Sequence, residues 1–185
     1  MISNVGPVGC IPYQRILNEL NDEDCVDLAN NLATKYNSRL KDLVAELNGN
    51  LPGATFVLAN VYDLVSELIV NYKKYGNNLV FKVFTQEINY YALFAFYLIN
   101  KHVYNICFAG FTTASRACCG IGIGGQVAGV IPCVPTSSLC SDREKHVFWD
   151  QYHPSEAANV ILAKQLINGD KKYISPINLR QLIDL

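Results

Sequence analysis

Thr55-Phe56-Val57-Leu58-Ala59-Asn60-Val61 is a short, almost unbroken apolar run, the pattern of a strand buried on both faces. Upstream of it, Val26, Ala29, Leu32, Ala33, Tyr36, Leu40, Leu43, Val44 and Leu47 recur at three and four, which predicts a helix over Cys25 to Leu47. Asp22 or Asp24 is placed to cap its start, and Asn48-Gly49-Asn50 with Pro52-Gly53 to stop it. Farther upstream, Ile2 to Val5 reads as the tail of a first strand. The following Gly6-Pro7-Val8-Gly9-Cys10-Ile11-Pro12 suits neither helix nor central strand, so the backbone must leave the sheet there. Strand, helix, strand in this order is the right-handed crossover of a parallel sheet, and the chain is read as α/β.

Downstream of the strand, Tyr62 to Tyr75 reads as helical, with Leu64, Val65, Leu68 and Ile69 inward and Lys73-Lys74 near the end, where cations suit the helix dipole. Residues 121–140 form a glycine- and proline-rich loop. His153-Pro154-Ser155-Glu156 opens a last helix whose apolar stripe is Ala158, Ile161, Leu162, Leu166 and Ile167 and which Gly169 closes. Only two strands are identifiable. Two parallel strands do not make a doubly covered sheet, so the expectation is an incomplete fold whose leading strands are missing.

Half of the 185 residues are hydrophobic, enough for one globular core. With 17% charged residues and a net charge of -1 there is neither a basic footprint for nucleic acid nor a polybasic patch for an anionic membrane. The seven cysteines, Cys10, Cys25, Cys107, Cys118, Cys119, Cys133 and Cys140, lie in polar or glycine-rich surroundings and favour an oxidising compartment. The first 20 residues nevertheless contain no signal peptide. The two observations agree if the chain starts inside a longer secreted protein. A zinc site is the rival use of the cysteines, but Cys118-Cys119, Cys133 and Cys140 do not have the spacing of a zinc knuckle.

Asn78 to Gly110 differs from its surroundings. It carries nine of the chain's 20 aromatic residues and also Cys107, the cysteine that makes the count odd. Its apolar run, residues 90–99, is about half of what a membrane span needs.

The chemistry concentrates in Phe148-Trp149-Asp150-Gln151-Tyr152-His153-Pro154-Ser155. A carboxylate three residues before a histidine reaches one imidazole nitrogen if the backbone turns tightly, which leaves the other nitrogen free to take a proton from a nucleophile. Pro154, pre-set for the first helical turn, would hold His153 on a rigid element. Spacing alone favours the plainer role, in which Asp150 caps the helix and His153 is an ordinary, partly exposed residue. His102 and His146 are weaker candidates, the first in the odd segment and the second in a charged surface stretch. No Gly-x-Ser-x-Gly elbow occurs, and no serine of the chain stands on a strand-to-helix turn between small residues. Ser155 reads as a helix-start residue. Gly120-Ile121-Gly122-Ile123-Gly124-Gly125 follows a cysteine pair and lacks the Lys-Ser/Thr of a phosphate loop, so it reads as surface loop.

Taken together, several stretches resemble the C-terminal half of the plant GDSL esterase/lipase family, in the SGNH hydrolase superfamily. They are Asn4 to Pro12, Leu51-Pro52-Gly53-Ala54, Asn60-Val61-Tyr62-Asp63, Tyr75-Gly76, Ala117-Cys118-Cys119-Gly120, Pro132-Cys133, Leu139-Cys140-Ser141-Asp142 and Val147 to Asn159. The resemblance implies a three-layer αβα fold and a Ser-Asp-His hydrolase of carboxylic esters, secreted, acting on lipids or other acylated compounds, with no metal or cofactor. In it Asp150 matches the orienting acid and His153 the general base. The family's serine, glycine and asparagine blocks would precede residue 1, so the 185 residues form a single partial domain expected to be inactive alone. The alternative is a non-catalytic chain. Residues 78–110 interrupt a place where the family runs from Tyr-Gly almost directly into a Phe-containing stretch, here Phe111, and look like a retained intron. With that segment set aside, Cys10 would pair with Cys25 and two bridges would form among Cys118, Cys119, Cys133 and Cys140, the adjacent pair not bonding to each other.

Overall fold

The computed structural model describes residues 1–75, 110–120 and 131–184. The odd segment, except Gly110, and the loop at 121–130 lie outside them, as do His102 and Cys107. Within the described residues the elements are β1 (Ile2–Ser3), α1 (Pro12–Leu17), α2 (Asp27–Asn50), β2 (Leu58–Ala59), α3 (Val61–Val70) and α4 (Tyr72–Tyr75). There follow β3 (Thr113–Ala117), β4 (His146–Phe148), α5 (Glu156–Asn168), β5 (Ile174–Ser175) and α6 (Leu179–Ile183).

The crossover read from the sequence is present: β1 pairs with β2 in parallel, Ile2 opposite Leu58 and Ser3 opposite Ala59, with α2 between them in the chain. The sheet is mixed, however, because β5 joins the other edge of β2 antiparallel. A second, two-stranded parallel sheet is made by β3 and β4. The sequence reading missed β3, β4 and β5. Two of them are two or three residues long, and Thr113-Ala114-Ser115-Arg116-Ala117 lacks the β-branched and aromatic content of a typical strand. The apolar run at 55–61 yields only two residues of β2. Before it, the Asn48 side chain holds both the N–H and the C=O of Phe56, each at 2.8 Å, and takes the place of a strand neighbour.

Helix α2 starts without the cap that Asp22 or Asp24 was expected to supply; Val26 is the capping position and no side chain bonds there. Asp22 is engaged elsewhere, accepting from Ser115 Oγ at 2.8 Å, and Asp24 accepts from Asn21. The start of the helix is instead held by Gly9, whose carbonyl accepts from Val26 N–H and whose own N–H donates to Asn30 Oδ1 at 2.8 Å. A Cβ on Gly9 would lie 2.3 Å from the Val26 carbonyl oxygen, so only glycine permits this approach. Of the stripe expected to face inward, Ala33 and Val44 are buried, whereas Leu32, Tyr36 and Leu43 are exposed, with Leu28 beside them. The helix expected over Tyr62 to Tyr75 is broken at Asn71 into α3 and α4; within α3 Leu64, Val65 and Leu68 are buried as expected, Ile69 only partly, and the Asn60 side chain caps it by accepting from Asp63 N–H.

The expected Cys10–Cys25 bridge is present, and of the two pairings left open for the other four cysteines the structure has Cys118–Cys140 and Cys119–Cys133. Each constrains the unfolded chain by about 2–4 kcal/mol. The Cys10–Cys25 loop also closes around buried Arg15, which donates from Nε to Cys10 O at 2.8 Å and from Nη1 to Asn21 O and Asp22 O. Burial pulls the Arg15 guanidinium below its ordinary pKa, opposed by the charges of Asp22 and Asp24.

The second sheet forms the floor on which the C-terminal segment rests. Leu68 of α3, Phe111, Ala114 of β3, Val147 and Phe148 of β4, and Ala158 and Ile161 of α5 pack into one buried cluster. Leu68 is 1% exposed within this cluster. Leu68→Ala is therefore expected to lower unfolding stability by about 2–5 kcal/mol, read as a shifted urea midpoint with unchanged slope.

Candidate active site

Strand β4 leaves the second sheet at Phe148, turns through residues 149–153 and returns beside itself. Phe148 and Pro154 form an antiparallel bridge, Trp149 N–H donates to His153 O at 2.8 Å, and Ser155 N–H donates to Val147 O at 2.8 Å. Ser155 then caps α5, its hydroxyl accepting from Ala158 N–H, which agrees with its reading as a helix-start residue. Pro154 lies before that cap and belongs to the returning strand, not to the first helical turn as expected.

The turn is shaped by Asp150. Its Oδ1 accepts from the backbone N–H of Tyr152 at 2.9 Å and of His153 at 2.7 Å, an arrangement in which a short acidic side chain replaces a backbone acceptor and tightens the turn. Both carboxylate oxygens also lie 2.9 Å from His153 Nδ1. Asp150 is thus not the cap of α5. Its side chain is 17% exposed and that of His153 is 73% exposed. Among the described residues, Asp150 is the only hydrogen-bond partner of the imidazole ring. Burial pushes the Asp150 carboxyl up, but the hydrogen bonds from Tyr152 N–H, the His153 ring and His153 N–H, with the charge of His153, outweigh it and leave the carboxyl below its ordinary range.

Two other segments hold the turn from outside. Cys118 N–H donates to Phe148 O at 3.1 Å and Cys119 N–H to Trp149 O at 2.7 Å, so the two adjacent cysteines, each bridged to a different partner, anchor its first limb. From α1, Tyr13 N–H donates to Gln151 O at 3.2 Å and the Tyr13 ring packs on Tyr152 with centroids 5.2 Å apart. These supports were not read from the sequence.

The remaining candidates are placed elsewhere. His146 begins β4, with Nδ1 3.1 Å from Asp142 O. Ser115 is buried against Asp22. Cys118, Cys140 and His146 offer ligand atoms within 4.8 Å of one another, but the two sulfurs are bonded to each other and present no thiolate to a metal. A carboxylate-held imidazole with an open second nitrogen is suited to proton transfer with an adjoining nucleophile.

The model of the GDSL-like lipase/acylhydrolase family matches residues 1–166. The chain belongs to this family. Among its relatives are GDSL esterases/lipases of Arabidopsis thaliana: one is 55% identical over 185 residues, all of this chain and 38% of the relative. A second is 49% identical, covering 100% of this chain and 40% of the relative, and a third is 38% identical with the same coverages. The chain therefore spans about two-fifths of the length of the curated relatives it matches. No helix among the described residues is long and apolar enough to cross a membrane.

Because the folded Asp150 carboxyl titrates below its unfolded value, the pair stabilises the fold above the unfolded carboxyl pKa of about 3.9. That contribution disappears as pH falls through the folded value. Thermal unfolding followed across the acid range should show the wild-type chain losing stability below about pH 4, with Asp150→Asn lacking that share of the loss.

Proposed function

We propose that Asp150 and His153 are the acid and base of a serine ester hydrolase of the Ser-Asp-His type, acting on lipids or other acylated compounds in a secreted, oxidising setting. The single observation that carries the reading is the carboxylate of Asp150 held 2.9 Å from His153 Nδ1 by a turn it also shapes, in a chain of the GDSL-like family. Asp150 fixes the imidazole with its proton on Nδ1. Nε2 then takes the proton of a serine hydroxyl as the oxygen attacks the ester carbonyl, and returns it to the leaving alkoxide. Water activated by the same nitrogen hydrolyses the acyl-enzyme. The serine and the oxyanion donors belong, in this reading, to the family's N-terminal blocks, and the full fold to a three-layer αβα arrangement that these 185 residues only partly supply.

Residues 78–110 fit the reading as an insert foreign to the family domain. Their flanks support it. A Cβ on Gly110 would come within 1.9 Å of the Lys73 carbonyl oxygen, so the chain after the segment lies against α4 before it. Phe111 is buried in the cluster that Tyr72 and Tyr75 pack against. Transcript reads mapped to the gene should show this stretch as facultative; a constitutive exon would overturn the insert.

A second reading, of a chain without catalysis, draws on the exposed row Leu28, Leu32, Tyr36 and Leu43 along α2, an apolar face for contact with other protein. One experiment separates the two. The purified chain alone should not turn over p-nitrophenyl butyrate. Joined in frame to the N-terminal portion of the 55% identical Arabidopsis relative, it should do so, and His153→Ala should lower kcat by about 10²–10⁴-fold. A joined protein that is folded but inert, or active without regard to His153, would refute the hydrolase role.

A further inference from the structure

His153 is the most exposed part of the machinery just described, and a 73% exposed side chain with one hydrogen-bond partner is free to swing about its χ angles. A second contact limits it. The Tyr152 ring stands edge-on to the imidazole at 84°, centroids 6.3 Å apart. Tyr152 is itself 47% exposed, and its ring also meets the Tyr13 ring, centroids 5.2 Å apart. Tyr13 touches the turn a second time through its N–H to Gln151 O. It contacts the same turn with backbone and side chain, from an element separated from it by more than half of the sequence.

The firmness of that contact comes from below. Tyr13 sits in the first turn of α1, directly after buried Pro12 and two residues before buried Arg15. Arg15 ties the helix to Cys10 O and to the carbonyls of Asn21 and Asp22, the Cys10–Cys25 bridge closes that loop, and Asp22 is fastened to Ser115 of β3. A surface aromatic pair would need none of this backing. We propose that Tyr13 is a positioning residue for His153: through Tyr152 it keeps the imidazole turned toward Asp150. The inference rests on the hydrolase reading of the Asp150 and His153 pair, and it extends the working site to α1, a segment far from that pair in the chain.

The test is side-chain nitrogen NMR of the oxidised, histidine-labelled chain in mildly alkaline solution, where an imidazole is neutral. The wild type should show His153 with its proton on Nδ1. Tyr13→Ala should lower the ratio of this tautomer to the Nε2-protonated one by about three- to tenfold, the range that one aromatic pair contact carries. Tyr13→Phe, which keeps the ring and the N–H, should restore it, and Tyr152→Ala should match Tyr13→Ala. Circular dichroism and disulfide mapping verify that each variant is folded; if Tyr13→Ala is not, Tyr13→Leu, which keeps bulk and the N–H but removes the aromatic ring, takes its place and should lower the ratio likewise. An unchanged ratio in the folded alanine variants, or a Tyr13→Phe variant that behaves as Tyr13→Ala does, overturns the positioning role while leaving the relay intact. A wild-type chain without the proton on Nδ1 overturns the relay, and the positioning role with it.

Discussion

The Asp150 carboxylate accepts from three N–H groups at once, two of the backbone and one of the imidazole, all within 2.7 to 2.9 Å. A neutral amide would offer one oxygen where this turn engages two, and a longer side chain would place its acceptor beyond the N–H groups that close the turn. The two residues between Asp150 and His153 are what lets one oxygen reach both the second and the third N–H while the ring folds back on the same group. Backbone shape and ring orientation therefore have one cause. The return of the chain alongside Phe148, the entry of Ser155 into its capping position and the start of α5 all follow from the turn that this carboxylate closes.

A turn so small needs a rigid mounting, and the mounting is covalent as well as apolar. The first limb is hydrogen-bonded by Cys118 and Cys119, each of which is bridged to the loop that carries Cys133 and Cys140. The far side meets α1, which the third bridge and Arg15 secure. Beneath, Val147 and Phe148 share the buried cluster of α3 and α5. In a small domain with short strands, cross-links supply the constraint that an extended sheet would otherwise give. The cysteine content is thus connected to the site itself, and not only to general stability.

The parts of the structure legible in the sequence are those that depend on local pattern. The buried run around Leu58, the periodicity of α2 and α3, and the serine that starts α5 were each readable because propensity and burial act on neighbouring residues. Asp150 and His153 stood out only through family motifs, since their spacing is as compatible with a helix cap. What was not legible depends on distant partners. Asp22 looked like a cap for α2 until Ser115, far along the chain, claimed its carboxylate. Thr113 to Ala117 became a strand because β4 lies beside it, not because of its composition. Tyr13 carried no signal at all, as its importance arises from a contact with Gln151 and Tyr152.

The exposure of His153 has a physical meaning in this arrangement. The hydrogen bonds that hold the Asp150 carboxylate to the turn and to the imidazole are all made between Asp150, Tyr152 and His153, so the pair is oriented by its own turn. Orientation is only part of proton transfer. An imidazole open to water exchanges its proton with solvent, and a carboxylate acts on it most strongly where water is excluded. In the proposed enzyme the segment that brings the serine to Nε2 would also cover the ring, so that assembly supplies the nucleophile and removes the competing water in one step. In that proposed enzyme the Asp150 side chain, already largely buried, would be the orienting end of the pair, and the exposed imidazole the end that reacts.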